Sequence, residues 1–327
     1  MEFKIFDEQL IDSIVNLWNE SVVPNSIFST FTNDSFRSKF LENIHFKKDG
    51  FICAFENDEL VGFGCATINN NGLEPDKTPG YITCIAVDKN HFRKGIGTQN
   101  LFKLEEWLKS NGKTFVRNYF ANPINLEWWI PGYDKHEHPG APAVAYNTPY
   151  YFLLQNNGYV VNGQQDAFHL NLGDYELPKK VVDNLDKNEK NGYTVTFYDE
   201  KIHYGFDELF TALKNEGWRN AINSNLEKEK PDPILIVQKD GEILGFTGPV
   251  FTQPSGRGYL AGIGVHPKTQ GLGLGKSLFS MLCHKSKLNG AKFMTLFTGA
   301  DNLARNIYLY AGFKIVQSFS ILRKELK

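Results

Sequence analysis

The chain repeats itself, and that repetition limits its possible folds more than any local propensity does. "GYITCIAVDKNHFRKGIGTQNLFKLEEWLKSNGKTFVRNYF" (Gly80 to Phe120) and "GYLAGIGVHPKTQGLGLGKSLFSMLCHKSKLNGAKFMTLFT" (Gly258 to Thr298) align without a gap. A duplicated segment of this length marks a structural unit used twice. Each copy reads as strand, glycine turn, helix, Asn-Gly stop and second strand; in the later copy Leu274, Leu278, Met281, Leu282 and Leu288 recur at helical spacing before Asn289-Gly290. Upstream, Asp49 to Ile68 and Asp232 to Phe251 are each two β-rich runs around a turn, Asn57-Asp58 in one and Asp240-Gly241 in the other. Amphipathic segments, Gln9 to Glu20 and Phe206 to Asn215, precede the hairpins. Downstream, "YYFLLQNNGYVV" and "ARNIYLYAGFKIV" are helical runs that end in glycine and an aromatic. Helices interleaved with a mixed sheet predict an α/β (α+β) fold made twice.

The chain's 327 residues, 41% of them apolar, suffice for two ordinary cores. The expected division is residues 1–176 for the first domain, 177–192 for a charged linker helix and 193–327 for the second domain. Only the first copy carries an insertion, roughly 123–148. A formal charge of −2 gives no basic surplus for a nucleic-acid partner. Cys53, Cys65, Cys84 and Cys283 are scattered, without a CxxC pair, and suit buried free thiols in a reducing compartment. No run approaches the roughly 20 apolar residues that span a bilayer, and the first residues carry acids rather than a signal-peptide core. The expected location is cytoplasmic, away from the membrane.

"TQGLGLGKSLF" (Thr269 to Phe279) raises the question of a nucleotide phosphate loop. A P-loop requires a first glycine five residues before the glycine of the final Gly-Lys-Ser/Thr and a strand directly ahead. Residue 270, where that first glycine belongs, is Gln, four residues separate the loop from the strand, and the aligned loop lacks Gly-Lys-Ser altogether. A Rossmann fingerprint fails at Leu278. Both copies do keep Gly-x-Gly at a helix start, Gly95/Gly97 and Gly273/Gly275. Such a turn either lets successive amides converge on an anion or serves as a tight strand-to-helix connection without a ligand.

A strand followed by Val-x-Pro and then Gln/Arg-x-x-Gly-x-Gly opening a helix resembles the acetyl-CoA motif of the GNAT superfamily of N-acetyltransferases, and "VHPKTQGLGLG" (Val265 to Gly275) satisfies it in full. "DNLARNIYLYAGF" (Asp301 to Phe313) is similar to the family's second motif: Ala304, Tyr308, Gly312 and Phe313 are in register, while Asp301 and Ile307 replace the usual Asn and Leu. The resemblance implies two tandem GNAT-like domains, each a mixed, mostly antiparallel sheet flanked by helices, with acetyl-CoA as cofactor. It implies that Ile263 and Val265 offer backbone groups to the pantetheine arm. The amides of Gln270, Gly271, Leu272, Gly273, Leu274, Gly275 and Lys276 would hold the diphosphate, with Asn302 nearby. Tyr308 becomes the proton donor to the departing sulfur, whereas Tyr310 is expected to pack.

The first copy departs further from that pattern. Phe92 stands at the Gln/Arg position and Leu154 at the tyrosine position, although Arg93, Lys94, Gly95, Ile96, Gly97 and Thr98 follow the usual run, with Val87 on the preceding strand. The resemblance therefore implies a domain able to hold coenzyme A but not to use it by the same mechanism. No general base is identifiable beyond Glu216 in "KNEGW"; water is the alternative. In the insertion, Asp134, His136 and His138 alternate in a Pro/Gly-flanked loop, a setting for solvated side chains rather than a metal. Trp128-Trp129 are expected to pack the loop onto the other domain or to wall an acceptor pocket. The leading function is acetyl transfer to a primary amine of a small molecule or peptide, in a monomer with an internal pseudo-dimer or in a homodimer. The alternative is a non-catalytic acyl-CoA-binding or sensing protein.

Overall fold

A computed structural model describes residues 1–327 as two compact units. The first comprises residues 1–167 and 316–327, and the second Phe168–Ile315.

In the first unit the chain forms β1 (Glu2–Ile5), α1 (Ile11–Leu17), β2 (Phe51–Glu56), β3 (Glu59–Ile68), β4 (Gly80–Val87), α2 (Ile96–Ser110), β5 (Phe115–Asn118), α3 (Pro149–Asn156) and β6 (Val160–Asn171), the last of which runs on past Ala167. The β2–β3 turn is built as the sequence predicts, with Asn57 at φ 51° and Asp58 at φ 64°, a left-handed pair that short polar side chains tolerate. Phe36, Phe40, Phe51 and Phe63 are fully buried; Phe36 stacks on Phe40 at 4.7 Å, and Phe51 on Phe63 at 5.3 Å. Burial of each ring contributes about 2–3 kcal/mol, which is why the sheet face and the segment after α1 form one core.

The second unit contains α4 (Lys179–Glu189), β7 (Thr194–Phe197), α5 (Phe206–Leu213), α6 (Glu216–Leu226), β8 (Leu235–Lys239), β9 (Glu242–Gly248), β10 (Gly262–Val265), α7 (Leu274–Leu288), β11 (Phe293–Gly299) and α8 (Arg305–Tyr310); β12 (Lys314–Glu325) begins in it. Strands β7, β8, β9 and β10 make a four-stranded sheet in that order. The duplication extends to irregularities: the β2–β3 ladder shifts register after Ala54, and the β8–β9 ladder shifts at the aligned Val237. Both long helices end on a left-handed glycine, Gly112 at φ 77° and Gly290 at φ 85°.

The compact units differ from the expected chain segments in two places. Within residues 177–192 the helix spans Lys179–Glu189, and this α4 packs within the second unit, with Val181 fully buried. Residues 316–327, expected with the second domain, belong to the first unit. There β12 pairs antiparallel with β5, from Leu322 opposite Asn118 to Glu325 opposite Phe115. The first unit's strand order is accordingly β1-β2-β3-β4-β5-β12-β6. Lys324 Nζ lies 2.8 Å from both carboxylate oxygens of Glu105, and Tyr159 donates its hydroxyl to the same carboxylate at 2.9 Å. The apolar pattern of a strand fixes which face is buried, but it does not say which sheet edge receives the strand.

Candidate acyl-transfer sites

Each unit places a glycine turn between a strand end and a long helix, and the two turns share one backbone. Arg93 (φ 64°) and Gly95 (φ 81°) in the first match Gly271 (φ 84°) and Gly273 (φ 73°) in the second, and Gly95 and Gly273 cap α2 and α7. No carbonyl of the chain accepts from the amides of Gly271 to Lys276; the first helical bond after the turn runs from Ser277 N–H to the Gly273 carbonyl. In the first unit it runs from Gln99 to Gly95, leaving Arg93 to Thr98 in the same state. A cluster of unpaired amides at the positive end of a fifteen-residue helix is complementary to a diphosphate. A Cβ on Gly271 would meet nothing within 4 Å, so the turn is open on its outer side. Gly275 has no such need of left-handed backbone, and a Cβ there would sit at ordinary distance, 3.6 Å from Ile307 and 3.9 Å from Val265. Its counterpart Gly97 is more confined, since a Cβ there would lie 3.3 Å from Leu153 and 3.6 Å from Val87.

Strand pairing ends next to both turns. β10 is the last strand of its sheet. His266 N–H donates to the Leu244 carbonyl at 2.7 Å, so alternation along the ladder turns the backbone groups of Ile263 and Val265 toward the open edge. Their side chains pack against the core that contains Leu274 and Tyr308. The other face of β10 is covered tightly, since a Cβ on Gly262 would fall 2.2 Å from the Trp218 ring nitrogen, and one on Gly264 would fall 2.5 Å from Leu213. In the first unit, Asp88 N–H donates to Val61, which leaves Ile85 and Val87 facing outward in the same manner.

The second unit's turn has a support that sequence reasoning missed. Asn184 and Asn188 on α4 both donate side-chain amides to the Leu272 carbonyl, at 3.1 and 3.0 Å, and Ser277 donates its hydroxyl to Asn184 Oδ1 at 2.8 Å. Holding that carbonyl fixes the peptide planes whose amides form the cup. The only sequence signal was polar residues one helical turn apart in a segment read as a linker. Lys276 places its ammonium 4.7 Å from the centre of the Tyr310 ring, so Tyr310 does pack, beneath this lysine. Asn302 is committed locally: its amide donates to Thr298 Oγ1 and its oxygen accepts from Ala304 N–H.

Tyr308 lies on α8, one residue after the Ile307 that abuts Gly275. Its ring is only 8% exposed and is wedged between Phe279 at 5.0 Å and Phe168 at 5.5 Å, with Phe313 at 6.4 Å. Its hydroxyl donates to no group of the chain, and burial raises its pKa above the ordinary phenol value. Glu216 is placed differently from a buried base. It sits in the first turn of α6, largely exposed, with its carboxylate 3.0 Å from Arg219 Nε.

The first unit forms a half-open cavity of about 190 Å³ between the diverging ends of β4 and β5. These strands pair only at Gly80 and Val116 before they separate, and β4 carries a bulge where Cys65 faces Cys84 but Ala66 faces Ile82. At the divergence, Ile82 N–H donates to Asn118 Oδ1 at 3.0 Å while the Tyr150 hydroxyl donates to the Ile82 carbonyl at 2.8 Å. Tyr150 aligns with Ala304 rather than Tyr308, so its hydroxyl props the strands apart instead of being free. Burial pushes the Cys84 thiol in the cavity wall up to about 12, which keeps it protonated. The insertion walls this cavity through Ala141, Ala143, Val144 and Ala145 and through Ile124, Asn125 and Leu126 rather than through the Trp pair. Trp128 is buried against Phe319 and His138, Trp129 is exposed, and His136 stacks on Tyr133. Each histidine thus serves as a ring partner.

A sequence profile described as the Acetyltransferase (GNAT) family matches residues 12–127 and again 193–313, more than half the chain. The chain belongs to the GNAT family. No curated protein sequence matches it significantly. Among solved structures, it is similar to a GCN5-related N-acetyltransferase from Sphaerobacter thermophilus, with TM-score 0.64 and 14% identity over 100% of this chain and 96% of that one. It also resembles a tandem GNAT protein from the clavulanic acid biosynthesis pathway, with TM-score 0.56 and 13% identity over 100% and 98%. A GCN5-related glucosamine N-acetyltransferase region of a fungal multi-domain GH3 β-N-acetylglucosaminidase gives TM-score 0.68 at 13% identity. The match covers 99% of this chain but only 38% of the fungal one. At these identities the likenesses establish a shared fold. This member of the family is an acyltransferase with two tandem domains, and no helix of the chain is long and apolar enough to cross a membrane.

Proposed function

We propose that the protein is an acetyl-CoA-dependent N-acetyltransferase whose chemistry takes place in the second unit. One observation carries this reading: an unpartnered phenol, Tyr308, is held rigidly by its ring on the helix that abuts the glycine turn. The residues present fit the cofactor, since unpaired amides, an open outer face at Gly271 and a free strand edge at Ile263 and Val265 are complementary to a diphosphate and an extended amide arm. When bound, acetyl-CoA supplies an activated acyl group. The amides of Gly271 to Lys276 would hold its diphosphate, with Gln270 entering the turn, while Ile263 and Val265 would pair with the pantetheine arm. Asn302 keeps the turn before α8 in shape. Tyr308 would give its hydroxyl proton to the departing sulfur as the acceptor nitrogen takes the acyl carbon, and would recover a proton from solvent. The acceptor, a primary amine on a small molecule or peptide, loses its proton to water, because Glu216 is already paired with Arg219.

The test is free-thiol release from acetyl-CoA with a panel of primary amines. Tyr308→Phe preserves the packed ring and removes only the hydroxyl group. We expect kcat to fall by about 10²- to 10⁴-fold, the usual weight of a general acid, with KM for acetyl-CoA within a few-fold of wild type. Binding of acetyl-CoA without turnover on any amine would instead favour the non-catalytic sensor.

A further inference from the structure

We propose that Asn71 is a site of spontaneous covalent modification, at which the folded chain converts asparagine to aspartate and iso-aspartate without an enzyme. The dipeptide Asn-Gly occurs six times, at Asn71, Asn111, Asn157, Asn162, Asn191 and Asn289. A glycine after asparagine carries no Cβ to keep its amide nitrogen away from the side-chain carbonyl. The Gly72 nitrogen attacks Asn71 Cγ: the N–Cγ bond forms, the Cγ–Nδ2 bond breaks, and the side-chain nitrogen takes up the proton and leaves as ammonia. Water then opens the cyclic imide. Attack at Cγ restores the main chain with aspartate, whereas attack at the main-chain carbonyl diverts the chain through Cγ as iso-aspartate. The sum is hydrolysis of one amide with water as the only co-reactant, and it adds one negative charge to the chain's formal −2.

Tertiary context separates the six. Four close the C-terminal end of a helix: Gly112, Gly158, Gly192 and Gly290 each donate N–H to the carbonyl three residues back, at 2.9 to 3.1 Å. Asn111, Asn157 and Asn191 are held as well, donating their side-chain amides to the carbonyl four residues back at 2.9, 2.7 and 2.8 Å. Nucleophile and electrophile are then both engaged, so the helix end must open before they react. Asn162-Gly163 lies inside β6, where a Cβ on Gly163 would stand 3.4 Å from Ile321 of β12. Asn71-Gly72 is placed differently. It forms the tip of the connection between β3 and β4, a left-handed pair at φ 48° and 75° closed by Leu73 N–H on the Asn70 carbonyl at 2.8 Å. Gly72 N–H donates to no group of the chain, both residues are exposed, and a Cβ on Gly72 would meet nothing within 4 Å. The base of the same loop is fixed. Lys113, only 2% exposed, places Nζ 2.6 Å from both Asn70 Oδ1 and Thr78 Oγ1, and 3.1 and 3.2 Å from the carbonyls of Pro75 and Thr78. Bringing the Gly72 nitrogen onto Asn71 Cγ therefore costs one exposed turn bond and leaves that anchorage intact.

Incubation of the full chain in mildly alkaline buffer, folded and in urea, tests this, with each Asn-Gly peptide followed by mass spectrometry. Asn71→Asp keeps the left-handed turn, because aspartate tolerates that backbone as asparagine does, and it marks the aspartate product on ion exchange. In the folded chain we expect Asn71 to convert at least about tenfold faster than each of the other five, whose bonded helix ends or strand must open first. In urea the six rates should converge to within a few-fold, since the sequence around each pair then acts alone. Hydroxylamine, which cleaves the imide, should cut the folded wild type into residues 1–71 and 72–327 and leave Asn71→Asp whole. Conversion of the folded chain that begins at a helix-end pair, or that proceeds equally at Asn71 and those pairs, would overturn the proposal. An unmodified Asn71 under conditions in which the urea-unfolded chain converts would also overturn it, because the turn would then protect the site.

Discussion

Tyr308 and Gly275 show how a single side chain, or its absence, sets the chemistry here. Burial raises the Tyr308 pKa, so its neutral form is favoured in the folded state; that contribution is complete below the unfolded value near pH 10 and is lost only as pH rises through the higher folded value. The enzyme should therefore show no alkaline loss of kcat up to about pH 10 from this donor. A pH–rate profile that falls with an apparent pKa near 8 would assign the proton to another group. Gly275 is informative because neither its φ angle nor its neighbours demand glycine. Gly275→Asp adds a carboxylate in the first turn of α7, a position that stabilises a helix. The thermal midpoint should hold while acetyl-CoA affinity in the second unit falls by at least about tenfold, since one like charge at close range costs 1.4 kcal/mol or more. Titration calorimetry together with a melting curve separates the two effects. Both residues were legible from the sequence because the motif fixes them. Asn118 and Tyr150 were not, since nothing in the chain between Ile82 and Tyr150 says that they meet at one peptide group.

At the scale of elements, α4 illustrates a helix whose role depends on what it touches. Its composition reads as solvated, but Val181 is buried and Asn184 sits against the glycine turn, 2.9 Å from where a Cβ of Gly273 would be. Asn184→Ala removes one of two donors to the Leu272 carbonyl as well as the acceptor of the Ser277 hydroxyl. The expected loss of stability is about 1 kcal/mol, with a several-fold rise in KM for acetyl-CoA and little change in the rate at saturation, because the turn loosens while Tyr308 stays in place. Equal losses in kcat and kcat/KM would argue that α4 acts on the chemistry instead. The hairpins and long helices were readable beforehand, because alternation, 3.6-residue periodicity and Asn-Gly stops are local signals. The docking of α4 is not local and left only a weak trace.

For the molecule as a whole, the last strand matters most. Because β12 pairs with β5 in the first unit and Glu105 holds Lys324 beside Tyr159, the segment 1–176 lacks a strand of its own sheet. Expressed alone, it should fail to give a cooperative unfolding transition, and supplying residues 316–327 as a peptide should restore one. Cooperative urea unfolding of the isolated segment would contradict this. In the intact chain, Lys324→Met leaves the 6% exposed Glu105 without its cation and should cost about 3 kcal/mol, measured by urea denaturation.

By itself the sequence determined the duplicated strand, turn, helix and strand, the left-handed glycines of the turn and the position of Tyr308, because all of these depend on residues close together in the chain. Only the tertiary structure decided where β12 pairs, that α4 supports the second glycine turn, and that the first unit holds an uncharged cavity. Those outcomes depend on edges and surfaces from distant segments, and an apolar pattern states that a face will be buried without naming its partner.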